Sequence, residues 1–292
     1  MGVHSPSSIV SLASERGKYT CSLPSWNLLL RGAMAGAYIA MGTAVMVSVM
    51  AGTELTLGSG FSRLIGGMVF PLGVILTVLC GAELFTGDAM LAPMAAWRYN
   101  TGYLEVFRLW LVVWLGNLIG SIFFASLMSF GPLVSVDQSG SIAVTTTGLS
   151  TIALATERCG YLGFATVVST FWKAVACGWL LNLAVLLAIC ADDALGKILG
   201  IWFPVMGMSA GGLEHAVTNM YLIPAGLLTA TRLSPLEVSR IGPDISNLGF
   251  IEMWTNNLIP VTIGNLLGGL ICTGFLMWIA FRQEITESDS SE

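Results

Sequence analysis

Cys80-Gly-Ala-Glu-Leu-Phe-Thr-Gly-Asp88 interrupts an apolar run from Leu64 to about Trp97. That run is longer than the roughly 20 residues a membrane-crossing helix needs. A second overlong run, Ala194 to about Ala230, is interrupted by Ser209-Ala-Gly-Gly-Leu-Glu-His215. The interruptions share one spacing. Gly81, Glu83, Asp88 and Pro93 of the first match Gly212, Glu214, Asn219 and Pro224 of the second. A further echo follows each: Gly-Asn-Leu-Ile-Gly at 116–120 and Gly-Asn-Leu-Leu-Gly at 264–268.

Composition sets the solvent. Of 292 residues, 55% are hydrophobic and 10% charged, where a soluble domain carries about 25% charged residues. Mean hydropathy is +0.80. A bilayer solvates such a chain; a soluble core of this length does not absorb it. Four more apolar runs complete the set: Ala33 to Gly52, Tyr103 to Phe130, Val168 to Cys190 and Leu258 to Phe281. The expected fold is an all-α membrane protein with six transmembrane helices. The runs before and after the loop at 131–158 form two repeats of three helices. Three is odd, so the second repeat enters the membrane inverted. The second and fifth helices are the broken ones.

Residues 1–27 are expected to form a polar cytoplasmic segment without a signal peptide. Residues 28–282 are expected to form the six-helix transmembrane domain and 283–292 an acidic tail. Ile9, Val10, Leu12 and Ala13 either make one face of a short interfacial helix or lie in a disordered tail. Both termini are expected in the cytoplasm of a multi-pass cell-membrane protein. That places Arg16, Lys18, Arg31, Arg98, Arg108, Lys197 and Arg282 inside, against Arg63, Arg158, Arg232 and Arg240 outside and Lys173 near the fourth span. No basic stripe suggests nucleic acid. The six cysteines form no CxxC pair. They read as small packing residues rather than a metal site or disulfide framework.

Paired broken helices point to a transport site, because freed backbone groups in lipid cost several kcal/mol each unless they line a cavity or are capped. Half-helix N-termini carry partial positive charge and suit an anion. His215, ionisable and inside an apolar run, reads as a proton donor or anion contact, or as a histidine bonded to backbone. Glu83 and Glu214 are expected to accept from backbone N–H groups at the breaks; the other reading is a proton relay. The Thr86 hydroxyl either donates to an anion or caps a helix. Asp88 and Asn219 are expected to cap the second half-helix of each broken span. Asn117 and Asn265 are expected to bond to the broken helices. Leu84, Phe85, Leu181 and Met208 are either hydrophobic constrictions or ordinary packing.

Gly-Ala-Glu-Leu-Phe-Thr-Gly (81–87), Gly-Leu-Glu-His-Ala-Val-Thr-Asn-Met-Tyr-Leu-Ile-Pro (212–224) and Asn-Leu-Ile-Pro-Val-Thr-Ile-Gly-Asn-Leu-Leu-Gly-Gly (257–269) resemble the signatures of the formate/nitrite transporter family. The likeness runs from about Leu28 to Phe281 and is greatest to formate transporters, including those paired with formate dehydrogenase. It implies an aquaporin-like protomer assembled as a homopentamer in membrane lipid, with one pore per protomer. It also implies that Thr86, His215 and Asn265 face the substrate. Phe70, Val74 and Met208 would form an outer constriction, and Leu84, Phe85 and Leu181 an inner one. Three positions depart from the family. Gly178 stands where many relatives carry asparagine. The family's lysine before the fourth span has only Arg158 and Lys173 as candidates, with Arg158 favoured as the electropositive attractor. Asp88 stands where an uncharged residue is common.

The expected function is pH-dependent passage of formate, a small monovalent anion, with protonation near His215. No cofactor is expected. Nitrite or hydrosulfide are alternatives within the family. A neutral-solute or water pore fits less well, for want of paired Asn-Pro-Ala motifs. An enzyme is not expected, because one intramembrane histidine without a nucleophile or HExxH partner makes no catalytic constellation.

Overall fold

The computed structural model describes residues 2–99, 101–160, 163–234 and 243–289. It is a helical bundle. Helix α1 spans Pro6–Ser22, α2 Ser25–Met50 and the short α3 Thr53–Leu57. Next come α4, Ser59–Leu79, then α5, Phe85–Tyr99, and α6, Tyr103–Phe130. The second half holds α7 (Thr146–Cys159), α8 (Phe164–Cys190), α9 (Ala194–Ala210), α10 (Ala216–Ala230) and α11 (Phe250–Glu287). Among the described residues α2, α4, α6, α8 and α11 are long and apolar enough to cross a membrane. The expected fifth span is two shorter apolar helices, α9 and α10.

Both breaks fall where the sequence places them, between α4 and α5 and between α9 and α10. Gly81 and Gly212 turn the chain with φ of 72° and 68°, a region that costs an L side chain about 1–2 kcal/mol. The two halves pack alike. Helix α2 lies along α6, and α8 lies along α11. Each close approach is set by a glycine. A Cβ on Gly36 would stand 2.1 Å from the Asn117 carbonyl oxygen, and one on Gly178 would stand 2.3 Å from that of Asn265. Gly178 is therefore a packing requirement, and an asparagine does not fit there. The halves also interlock, since α5 packs on α11 and α10 on α6. Within α11, π-helical turns at Met253–Leu258 and Gly268–Phe275 bring Gly269 against Asn182.

Three regions differ from the sequence reading. Residues 6–22 are not a separate polar segment. Ser5 caps α1, and Val10, Ala13, Ser14, Gly17, Thr20 and Cys21 make a buried stripe at helical spacing against α5. The residues are small and polar enough to hide this stripe from a hydropathy window. The loop at 131–158 contains an antiparallel pair, Val134–Val136 with Ile142–Val144, followed by α7, which Thr145 caps and which packs on α10. The tail expected from residue 283 continues α11, with Ile285 buried beside Val10 and Met90. Arg240, part of the charge argument, lies outside the described residues.

Candidate functional site

Both half-helices start on an asparagine from the opposite end of their own half. Asn117 Oδ1 accepts from Phe85 N at 3.0 Å, and its Nδ2 donates to the carbonyls of Gly32 (2.9 Å) and Glu83 (3.0 Å). Asn265 repeats the pattern. Its Oδ1 accepts from Ala216 N at 2.8 Å, and Nδ2 donates to Ala174 and Glu214 carbonyls, each at 2.8 Å. One amide thus fastens break, half-helix and neighbouring helix. Every polar group is engaged, and leaving one orphaned costs about 1–3 kcal/mol. Asn265 therefore holds the break.

The glutamates bind cations rather than backbone N–H groups. Glu83 Oε1 accepts from Arg16 Nη2 at 2.5 Å and Arg31 Nη1 at 3.3 Å. Glu214 Oε1 takes the Arg158 guanidinium, and Oε2 accepts from Asn219 Nδ2 at 2.8 Å. Asn219 also donates to Asn257 Oδ1 at 2.7 Å. Neither Asn219 nor Asp88 is a cap. The α10 cap is His215, whose Nδ1 accepts from Thr218 N at 3.4 Å. Asp88 lies in the first turn of α5, 1% exposed, with Oδ2 lacking a hydrogen-bond partner among the described residues.

Thr86 and His215 meet. Thr86 Oγ1 lies 3.0 Å from His215 Nε2, and the two are 129 residues apart in the chain. His215 Nδ1 also lies 3.0 Å from Thr218 Oγ1, so the ring bridges Thr86 and Thr218; in the tautomer in which Nδ1 accepts at the cap, Nε2 carries the proton and donates to Thr86. The Thr86 hydroxyl hydrogen is left to point elsewhere. Thr86 is fully buried. Asn182 Nδ2 donates to its carbonyl at 2.8 Å, while Asn182 Oδ1 is buried without a partner among the described residues. Asn182 escaped the sequence reading, which looked for the fourth-span asparagine at position 178. A lone amide in an otherwise apolar helix was the available signal.

Two cavities flank this pair. The first, about 250 Å³, is lined by His215, Thr218, Phe70 and Met208, with Arg63, Arg158 and Lys173 against Glu157. The second, also about 250 Å³, is lined by Val74, Leu84, Gly87, Asp88, Arg16 and Lys197. Phe70, Val74, Leu84, Leu181 and Met208 belong to one buried apolar cluster that reaches both. Val74 thus faces the same cavity as Leu84, not that of Phe70 and Met208. Phe85 lines neither cavity. It packs with Leu28, Leu109 and Val113, because the α5 turn aims it at α2 and α6. Lys173 and Arg158 also line a third cavity, of about 750 Å³, with Thr166, Ser169 and Thr170. The arrangement can hold an anion at uncharged donors between two vestibules, with an apolar barrier alongside.

Residues 7–279 match the family model described as "Formate/nitrite transporter". The uncharacterized transporter YrhG of Bacillus subtilis (strain 168) is 36% identical over 97% of this chain and 96% of its own length. The formate channel FocA of Escherichia coli (strain K12) is 31% identical, over 96% and 95%. A solved pentameric formate channel with formate bound superposes with a TM-score of 0.73 at 27% identity, covering 88% of this chain and 97% of that one. The chain belongs to the formate/nitrite transporter family, a family of multi-pass membrane channels and transporters rather than enzymes.

Proposed function

We propose that this protein moves formate across the membrane through a pathway within each protomer, passing between the two cavities at Thr86 and His215. The reading includes six crossings in two inverted repeats, an aquaporin-like protomer, a homopentamer, and both termini on the cytoplasmic side. The observation that carries it is the Thr86–His215 contact, made by two half-helix starts at the edge of an apolar cluster. The full-length likeness to formate channels supports the substrate.

An anion entering the first cavity meets more positive than negative charge. Glu214 compensates Arg158, so Lys173 and Arg63 carry more of the attraction than the favoured arginine does. At mid-membrane the anion meets neutral donors, which stabilise it without trapping it as a buried ion pair would. There it takes a proton in the His215 region and crosses the apolar cluster as the neutral acid, whose desolvation costs far less than an ion's.

The test is uptake by proteoliposomes of formate, nitrite, hydrosulfide and glycerol at several pH values. Formate flux rising as pH falls is the expected result. Glycerol flux without anion flux overturns the anion pathway. A preference for nitrite or hydrosulfide overturns the assignment to formate.

A further inference from the structure

Asp88 is one of the places where the matched breaks differ in chemistry. Five residues after Glu214, Asn219 donates an N–H to the carboxylate at 2.8 Å. Five residues after Glu83 stands Asp88, which has a hydrogen to donate only when its carboxyl is neutral. Its side chain is 1% exposed and Oδ2 has no hydrogen-bond partner among the described residues. It lines the second cavity beside Gly87, one residue after Thr86.

The charges around it leave it without a counterion of its own. From α1, Arg16 reaches the same cavity but bonds Glu83 at 2.5 Å, and Cys21 lies nearby. From α2, Arg31 also bonds Glu83. From α9, Lys197 lines the cavity and donates to the Ala188 carbonyl at 3.1 Å. From α6, Trp110 donates only to the Asp88 backbone carbonyl, at 2.9 Å, and Arg108 and Glu105 face Cys21. Helix α8 lines the cavity with Val185, Ala188 and Ile189. The π-turn of α11 brings Gly269 and Gly274 to the flanking Ala89 and Met90. His215 stands across Thr86. An ionised Asp88 would lie unpaired between Glu83 and the path of an anion.

We propose that Asp88 is a proton-binding site in the second cavity: neutral, it mimics Asn219 and admits the anion; ionised, it repels it. The inference rests on the formate reading. It adds a second titrating group to a pathway otherwise governed at His215.

The experiment compares the full-length protein with Asp88→Asn, which copies the residue at 219, and Asp88→Glu. Infrared spectra are recorded at acid and alkaline pH, and formate flux is followed over the same range in proteoliposomes. A neutral-carboxyl band should vanish in Asp88→Asn and titrate in the other two. Wild-type flux should fall about tenfold per pH unit above the midpoint of that band. Asp88→Asn should lack this limb, and Asp88→Glu should retain it. Superposed flux profiles of wild type and Asp88→Asn overturn the proposal, as does a spectrum without the missing band. Wild type that carries no formate, with the band present and titrating, overturns the formate reading alone.

Discussion

The break at Gly81–Asp88 and the break at Gly212–Asn219 are built on one plan but carry different chemistry. Each has a left-handed glycine, a glutamate held by arginine, and a half-helix started by an asparagine from a GNLxG segment. The plan puts Leu84 where the other break has His215, and Asp88 where it has Asn219. One break therefore turns an imidazole to its cavity, the other a leucine and a lone carboxyl. The shared residues fasten the two breaks, and the unshared ones give the two cavities different linings. This division suits a site that must be rigid in its frame and asymmetric in its chemistry.

The largest expected effects are on the shared frame. Asn117→Ala and Asn265→Ala each remove one amide and orphan two buried backbone groups at the break, Phe85 N with the Glu83 carbonyl and Ala216 N with the Glu214 carbonyl, at about 1–3 kcal/mol per group. Both should lower the unfolding temperature strongly and by similar amounts. A mild effect at one site would break the equivalence of the two breaks.

Next come the ion pairs. Arg158→Gln leaves Glu214 with Asn219 alone among the described residues, whereas Arg16→Gln leaves Glu83 with Arg31. Removing one partner of a buried pair costs about 3–5 kcal/mol. Arg158 is 20% exposed and Arg16 38%, so screening reduces the second loss. Thermal unfolding should rank Arg158→Gln well above Arg16→Gln in cost.

Smaller still are effects on transport alone. Thr86→Val removes a hydroxyl of similar volume and one hydrogen bond. Formate flux should fall about 10- to 100-fold, the range for losing a bond to a charged ligand. Thr218→Val leaves the Thr218 backbone donor in place, and flux should fall less than about tenfold.

Much of the frame is legible in the sequence because it is local and repeated. The glycine–glutamate–proline spacing locates both breaks to within a few residues, and the GNLxG echo identifies both fastening asparagines. Partner identity is another matter. That Glu83 meets Arg16 and Arg31, 67 and 52 residues away, depends on how α1 and α2 pack, and no spacing encodes that. The same holds for Arg158, which the sequence offers as a bare attractor and the fold pairs with Glu214. Asp88 and Asn219 do not cap, because five residues past the glutamate is one turn too late; at the second break His215 occupies the cap itself. Asn182 has no echo in the first half, so a reading built on repetition passes over it. For α1 the sequence offers a short helix through Ile9, Val10, Leu12 and Ala13 as one of two readings, but its full length and its burial against α5 are hidden because the buried face is made of Ala, Ser, Gly and Thr as much as of apolar residues.

The most direct test of the Thr86–His215 passage is formate flux against pH in proteoliposomes of Asp88→Asn protein, with and without His215→Gln. That background removes the second titrating group, so the remaining pH dependence belongs to the meeting point of the breaks. The account predicts that flux still rises as pH falls when His215 is present and becomes flat when it is replaced. Identical pH profiles with and without His215 would contradict it.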